Sequence, residues 1–242
     1  MKAALARTAI LVLLAAALPA RGEIVDRIVA VVGGATGPGT SFSGTGAAPG
    51  PRLRVIPWSA VDEEASYQAF RRNEPPPAWK PADAASSPAA REVLQKMIDQ
   101  ALLGQAMERF PFAPAEGRDV REEIQSLKNT FPDAEAYRGA LARYHLTEEK
   151  VVERRTHESL LSAFVDATLR PQARVSAEQV EQYYQSNLVP EFRLRGGMEP
   201  APSLESVRGQ IEEILTQEQI DGLLEQWLAQ LRRNTKIEIW PD

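Results

Sequence analysis

The sequence predicts a mainly α-helical domain completed by a minimal β-sheet of its N- and C-terminal strands. Three observations predict this fold. After residue 59, apolar residues recur at three- and four-residue spacing through most of the chain, which indicates amphipathic helices. The last and longest pattern runs from Leu204 to Leu231, and a stripe of that length needs other helices to cover it. Segments rich in β-branched residues stand at 23–32 and at 235–240.

The N-terminus has the pattern of an export signal. Lys2 and Arg7 precede an apolar run at residues 9–18, and small residues follow it. The run is too short to cross a bilayer, and no later apolar stretch is long enough to do so. We therefore expect residues 1–22 to be a signal peptide and the mature chain to begin near Glu23 in the periplasm. An uncleaved membrane anchor is the alternative.

The predicted sheet begins with residues 23–32, EIVDRIVAVV, an apolar run that is typical of a buried strand. Residues 34–51 are rich in glycine and poor in apolar side chains, so we expect a disordered loop. A second strand, RLRVIPW, starts at Arg52, and Pro57 restricts it to a sheet edge. The alternating segment TKIEIW at 235–240 is expected to return and pair with the first strand.

Capping residues precede the predicted helices, because their side-chain oxygens can accept bonds from the free N–H groups of a first turn. These residues are Ser59, Ser87 and Ser176, and two further helices are expected to start at residues 132–133 and at Thr147. A Pro-rich linker is expected at 74–86, within a helical region that spans residues 23–192. A second linker, 193–202, leads to residues 203–242, whose long helix and strand complete the same domain.

The composition excludes most catalytic chemistry. The 242 residues include no cysteine and two histidines, and the formal net charge is -5, so thiolate sites and a basic surface for nucleic acid are not expected. His145 and His157 lack the carboxylate spacing of a ligand set, and we predict neither metal nor cofactor. Sequence-adjacent acids such as Glu122 and Glu123 point about 100° apart on a helix, which indicates solvated faces. No catalytic residue is assigned.

Four segments, taken in order, resemble the N-terminal chaperone domain of the SurA family. They are residues 28–32 (IVAVV), 93–103 (VLQKMIDQALL), 146–150 (LTEEK) and 175–184 (VSAEQVEQYY). The resemblance covers most of the mature chain apart from the Gly-rich loop and the Pro-rich linker. It implies that the N-terminal module and the last helix form one core. It also implies an ATP-independent periplasmic holdase whose partners are unfolded outer-membrane or envelope proteins.

The chain departs from the family at one point. Many members carry parvulin prolyl-isomerase domains just before the last helix, whereas residues 193–202 are far too few to fold as a domain. Parvulin-like sites use a histidine pair, and both His145 and His157 lie upstream of this point. Two alternatives to the holdase stay open, a parvulin-type prolyl isomerase and a scaffolding module that binds one folded envelope partner.

Aromatic residues outside the terminal helix form the client-binding hypothesis, because a chaperone surface needs apolar side chains that remain exposed. The candidates are Tyr67, Phe70, Phe110, Phe112, Tyr137 and Tyr144. Trp227 and Leu231 lie in the densest apolar stripe of the chain, and we expect both to belong to the core.

Overall fold

A computed structural model describes residues 26–35, 53–79, 87–110, 112, 120–194 and 201–240. The expected signal peptide, 1–22, lies outside these ranges. So do residues 36–51 of the expected loop and parts of both expected linkers, 80–86 and 195–200.

The described chain is mainly helical, and a three-stranded antiparallel sheet joins its two ends, which confirms the predicted fold class. The strands are β1 (Ile28–Ala35), β2 (Arg54–Pro57) and β3 (Thr235–Ile239). The helices are α1 (Trp58–Arg72), α2 (Pro88–Arg109), α3 (Val120–Lys128), α4 (Ala134–Arg143), α5 (Glu148–Leu169), α6 (Ala177–Tyr183), α7 (Val189–Leu194) and α8 (Leu204–Asn234). A 3-10 turn, Arg170–Gln172, follows α5, and a π-helical turn, Tyr184–Leu188, joins α6 to α7.

The sheet has the order β2-β1-β3, so the first strand is central and the other two are edges. Val31 of β1 pairs with Val55 on one side and Glu238 on the other. The predicted return of the terminal segment onto the first strand is therefore confirmed. The strand ends three residues later than predicted, because Ala35 pairs with Thr235 beyond a register shift, and it begins at Ile28, after Asp26 and Arg27. Gly33, with φ of 153°, lies at that shift in a backbone conformation that glycine adopts readily.

The start of α1 differs from the prediction. The helix begins at Trp58, so Ser59 lies inside the first turn and the N-cap is Pro57, which has no side chain that can accept a bond. Asp26, which precedes β1 and lies beside the end of β2, takes over this role, because its Oδ1 accepts a bond from the Ser59 N–H at 3.2 Å. The other two predicted caps, Ser87 and Ser176, are confirmed, since each accepts a bond from its first turn. Asp133 and Thr147, where helices are expected to start, cap α4 and α5 in the same way.

The core of the N-terminal half consists of two apolar clusters. In the first, the inner face of the sheet packs on α1 and α2 through residues such as Val32, Val61 and Ile98. In the second, the C-terminal part of α1 meets α3, α4 and the start of α5 around Phe70 and Val151. Helix α1 contributes to both clusters and joins them.

Helix α8 is covered unevenly along its length. Its middle packs against α5 around Ile220, and its first part packs against α6 around Val207 and Ile211. These three are the residues that α8 buries fully. Trp227 and Leu231, expected in the core, are half-buried because α5 and α2 cover the last part of the helix from one side. The second linker is shorter than predicted, since residues 193 and 194 complete α7.

Candidate functional site

Four of the six candidate client-binding aromatics are buried, so the expectation that they form an exposed surface is wrong. Tyr67, Phe70, Tyr137 and Tyr144 have exposed fractions of at most 3%. They converge because α1 presents its apolar face to α3 and α4, and the four rings fill the space between these helices. A client chain has no access to them in the folded state.

The four buried aromatics pack as core residues. The ring centroid of Phe70 lies 5.6 Å from that of Tyr144, and the two rings meet edge to face. The Tyr144 hydroxyl donates to the carbonyl oxygen of Glu74 at 2.6 Å. The Tyr67 hydroxyl donates to the Glu158 carboxylate at 3.4 Å, and its pKa rises to about 12 because burial and this carboxylate both disfavour the phenolate.

The other two candidates lie beyond the C-terminus of α2. Phe110 is 57% exposed, whereas Phe112 is half-buried with its ring centroid 5.4 Å from that of Phe164. Of the six candidates, Phe110 therefore has the exposure that a client contact requires. A role for either residue in client binding stays a prediction.

A larger apolar surface lies on the outer face of the sheet. The register places Ile28, Val55 and the half-buried Val31 on this face, and Leu53 and Trp240 extend it at either end. Four of these side chains are 41–67% exposed, whereas Val32 and Ile56 on the opposite face are buried. We call Ile28, Val31, Leu53, Val55 and Trp240 the sheet patch.

The edge of β2 borders the sheet patch. Within the described part of the chain, β2 pairs with β1 alone, so its outer side presents main-chain N–H and C=O groups that no described strand bonds. Such a row is a template for adding another extended chain. At the opposite edge, β3 carries an ion pair between Lys236 and Glu238, and charges of this kind discourage strand addition. Among the described strands, β2 is therefore the edge that borders the sheet patch and has no strand partner on its outer side.

A cluster of charged residues between α1, α2 and α5 has a structural role. Glu64 is 3% exposed, and it pairs with Arg154 and, at 3.5 Å, with Lys96. Although burial raises the pKa of Glu63, hydrogen bonds from Lys150 and Arg154 hold that pKa below its usual range. Removing one partner from such a buried pair is costly, so the cluster ties the three helices together.

The cavity beside this cluster has a volume of about 230 Å³ and is lined by Glu63, Glu64 and Glu158, among others. Each of these three carboxylates has a cationic partner, at Lys150, Lys96 and Arg71 respectively. His157 also lines the cavity, and burial, together with the nearby Arg54, lowers its pKa despite three surrounding carboxylates. The acidic lining of this cavity therefore consists of carboxylates that the structure pairs with basic side chains.

Among the described residues, no group of histidine and acidic side chains is arranged to hold a metal ion. None of the described helices combines the length and apolar character that crossing a membrane requires. No family model, no curated protein and no solved structure matches this chain.

Sequence reasoning missed the sheet patch, although a signal for it is present. In RLRVIPW, Leu53 and Val55 share one face, while Ile56 shares the other with Arg52 and Arg54, so each face carries at least one apolar side chain. A strand with apolar side chains on both faces is either covered on both sides or leaves one apolar face exposed. The structure shows the second case, since Ile56 is buried and Val55 is 52% exposed.

Proposed function

We propose that this chain is an ATP-independent holdase that binds unfolded outer-membrane or envelope proteins in the periplasm. The observation that carries the proposal is the sheet patch beside the outer edge of β2, which no described strand pairs. An unfolded chain offers unpaired main-chain groups and apolar side chains together, and this surface matches both. A folded partner has already used its main-chain groups, so the surface favours unfolded clients.

The dimensions of the edge suit weak and reversible binding. Strand β2 spans four residues and ends in Pro57, which has no N–H group to donate. A client segment therefore gains few main-chain hydrogen bonds and a modest apolar contact with Leu53 and Val55. Fast dissociation releases the client without nucleotide hydrolysis.

The resemblance to the SurA family supports the same function. That resemblance implies one core shared by the N-terminal module and the last helix, and the pairing of β3 with β1 and the packing of α8 on α5 agree with it. The export signal expected at residues 1–22 supports a periplasmic location. Phe110 is a further proposed client contact because it is exposed at the end of α2.

The proposal is tested by placing charge on the sheet patch. Leu53→Lys combined with Val55→Lys should preserve the fold, because both side chains are exposed. We expect the variant to lose most of the parent's ability to suppress aggregation of an unfolded β-barrel protein, since lysine removes the apolar contact and disfavours strand addition. Light scattering of the diluted client measures suppression, and circular dichroism checks the fold.

A matched control changes two exposed apolar residues away from the sheet. Leu194→Lys combined with Ile214→Lys adds the same charge, and we expect suppression to equal that of the parent. If the parent fails to suppress aggregation at stoichiometric excess, the holdase function is wrong. If both double variants lose suppression equally, general apolar exposure rather than the sheet patch explains the activity.

A further inference from the structure

The main-chain groups of β2 face its two sides alternately. The Trp58 N–H donates to the Arg27 carbonyl oxygen at 2.7 Å, and Pro57, which precedes Trp58, is extended with φ of -80° and ψ of 161°. Because successive strand residues direct their N–H and C=O groups to opposite sides, those of residues 54 and 56 also point toward β1. The N–H and C=O groups of Val55 therefore point away from the sheet, as do those of Leu53 and the carbonyl of Pro57.

Contacts of β1 with the other edge give the same result. The Trp240 N–H donates to the Val29 carbonyl oxygen at 3.0 Å, so the main-chain groups of Val29 face β3, and those of Val31, two residues further along, do so too. Val31 is the register partner of Val55. Since Val31 bonds toward β3, the main-chain groups of Val55 have no bond to any described strand.

The outward groups of β2 match those of a second β2 turned through 180°. Antiparallel pairing across a two-fold axis at Val55 places this residue opposite Val55 of the second copy, so each donates its N–H to the carbonyl of the other. Leu53 then lies opposite Pro57 of the second copy and donates its N–H to the proline carbonyl. Because proline has no N–H, the Leu53 carbonyl gains no bond in return.

The charge of Arg54 selects this register over its neighbours. An axis at Arg54 places two like charges directly opposite each other, which is destabilising in a sheet. An axis at Ile56 pairs Val55 with Pro57 of the second copy and leaves each valine carbonyl without a donor. With the axis at Val55, Arg54 lies opposite Ile56 of the second copy, and its charge is already neutralised by Glu108 at 3.1 Å.

The sheet patch continues across this axis. Val55 and Leu53 are 52% and 67% exposed in the single chain, and pairing brings them against Val55 and Pro57 of the second copy. The three strands of each copy then form one sheet with a continuous apolar outer face. A two-fold contact of this kind closes with two copies, because each copy uses its β2 edge once.

We propose that a second copy of this chain pairs with β2 across a two-fold axis at Val55 and covers the client site when no client is bound. The second copy brings a strand that is already ordered, whereas an unfolded client loses conformational entropy as it binds. Clients therefore displace the second copy by mass action when they are abundant. The dimer itself is independent of the proposed holdase function, and its displacement by clients rests on that function.

The absence of cysteine from the sequence permits a direct test of the axis. Cα atoms of a hydrogen-bonded antiparallel pair lie about 5.5 Å apart, within disulfide range, so Val55→Cys should form a covalent dimer on mild oxidation. Leu53→Cys lies on the same face and is the matched control. Its two copies are separated by four residue steps of about 3.4 Å, which no disulfide spans. Non-reducing gel electrophoresis of the full chain measures the dimer.

Analytical ultracentrifugation measures self-association without a cross-link. We expect the mass of the parent to rise toward twice that of the monomer as its concentration increases. Leu53→Lys combined with Val55→Lys should stay monomeric, whereas Leu194→Lys combined with Ile214→Lys should associate as the parent does. Unfolded β-barrel protein, added before the oxidant, should reduce the cross-linking of Val55→Cys.

The dimer is wrong if the parent stays monomeric, if the lysine pair at 53 and 55 associates as the parent does, or if Leu53→Cys cross-links as readily as Val55→Cys. Aggregation suppression is measured in parallel. If the parent suppresses aggregation but stays monomeric, the dimer fails and the holdase function stands. If the parent dimerises at Val55 but does not suppress aggregation, the holdase function fails and the dimer stands. A client that is held while the cross-linking is unchanged would show that client and second copy do not share the edge.

Discussion

Single residues in this protein find their hydrogen-bond partners far along the chain. Asp26 bonds the backbone of Ser59, which lies 33 residues away, and Arg154 pairs with Glu64 at a separation of 90 residues. The hydroxyl of Tyr144 reaches the backbone of Glu74. These bonds join segments that local patterns treat separately, so a sequence pattern identifies a cap next to its own helix, such as Ser87, but not a distant one such as Asp26.

Asp26 should make stability depend on pH. The bond from the Ser59 hydroxyl, and then the bonds from the Ser59 and Arg27 backbones, hold the pKa of Asp26 below its usual 3.8, although burial opposes them. A lowered folded-state pKa stabilises the fold above pH 3.8, and this contribution is lost as the pH falls through the folded value. We expect Asp26→Asn to lower the free energy of unfolding by less than about 1 kcal/mol at pH 7, because water screens this exposed group.

Urea unfolding at pH 7 and at pH 2 measures the difference in the free energy of unfolding between the parent and Asp26→Asn. The difference should be present at pH 7 and smaller at pH 2, because the stabilising contribution of Asp26 falls as the pH drops below 3.8, where the unfolded-state carboxyl becomes protonated. A gap of equal size at both pH values would show that the amide disturbs packing rather than removing a charge.

The limits of sequence reasoning at this scale are visible in Ser59 and the buried aromatics. Ser59 has the right chemistry for an N-cap, but α1 starts one residue earlier and Asp26 takes the role. The spacing of Tyr137 and Leu141 predicts a shared helix face correctly. Whether that face meets solvent or another helix depends on α1 and α3, whose approach no local pattern encodes.

At the scale of elements, α8 shows that an apolar stripe predicts a helix face but not its depth. The stripe from Leu204 to Leu231 is present, yet α6 covers its first part and α5 its middle, while other positions stay half-buried or exposed. The strands were more predictable, because β-branched alternation at both ends of the chain fits a sheet with β1 in the middle. The charged cluster was not predicted, since it needs the packing of three helices.

Two isoleucines of α8 provide a matched test of this uneven cover. Ile220 is 2% exposed and packs against α5, whereas Ile214 is 42% exposed. We expect Ile220→Ala to lower the free energy of unfolding by about 2 to 5 kcal/mol, because the variant loses contacts and leaves a cavity. Ile214→Ala should change stability by about 0.5 kcal/mol or less. Denaturant unfolding of both variants measures the costs, and equal costs would mean that the cover of α8 differs from that described.

At the scale of the whole molecule, the last two elements, α8 and β3, contact elements that lie much earlier in the chain. Helix α8 supplies part of the apolar clusters with α5 and α6, and β3 pairs with β1 at the centre of the sheet. Residues close to the two ends of the described chain therefore depend on one another, as Ala30 and Ile239 show by pairing directly. The clusters that include α8, and the sheet that includes β3, are therefore complete only when the C-terminal elements are in place, and we expect the chain to unfold cooperatively.

Truncation after Pro202 tests this closure. The shortened chain loses the partners of Leu161 on α5 and Val180 on α6, and β1 loses one neighbour, so we expect aggregation or no cooperative melting. Truncation after Asn234 is the graded control, because it removes β3 and keeps α8; it should melt cooperatively at a lower temperature than the parent. Size-exclusion chromatography and thermal circular dichroism distinguish the three proteins. A soluble chain ending at Pro202 that melts cooperatively would show that the N-terminal helices form an independent core and that α8 is an appendage.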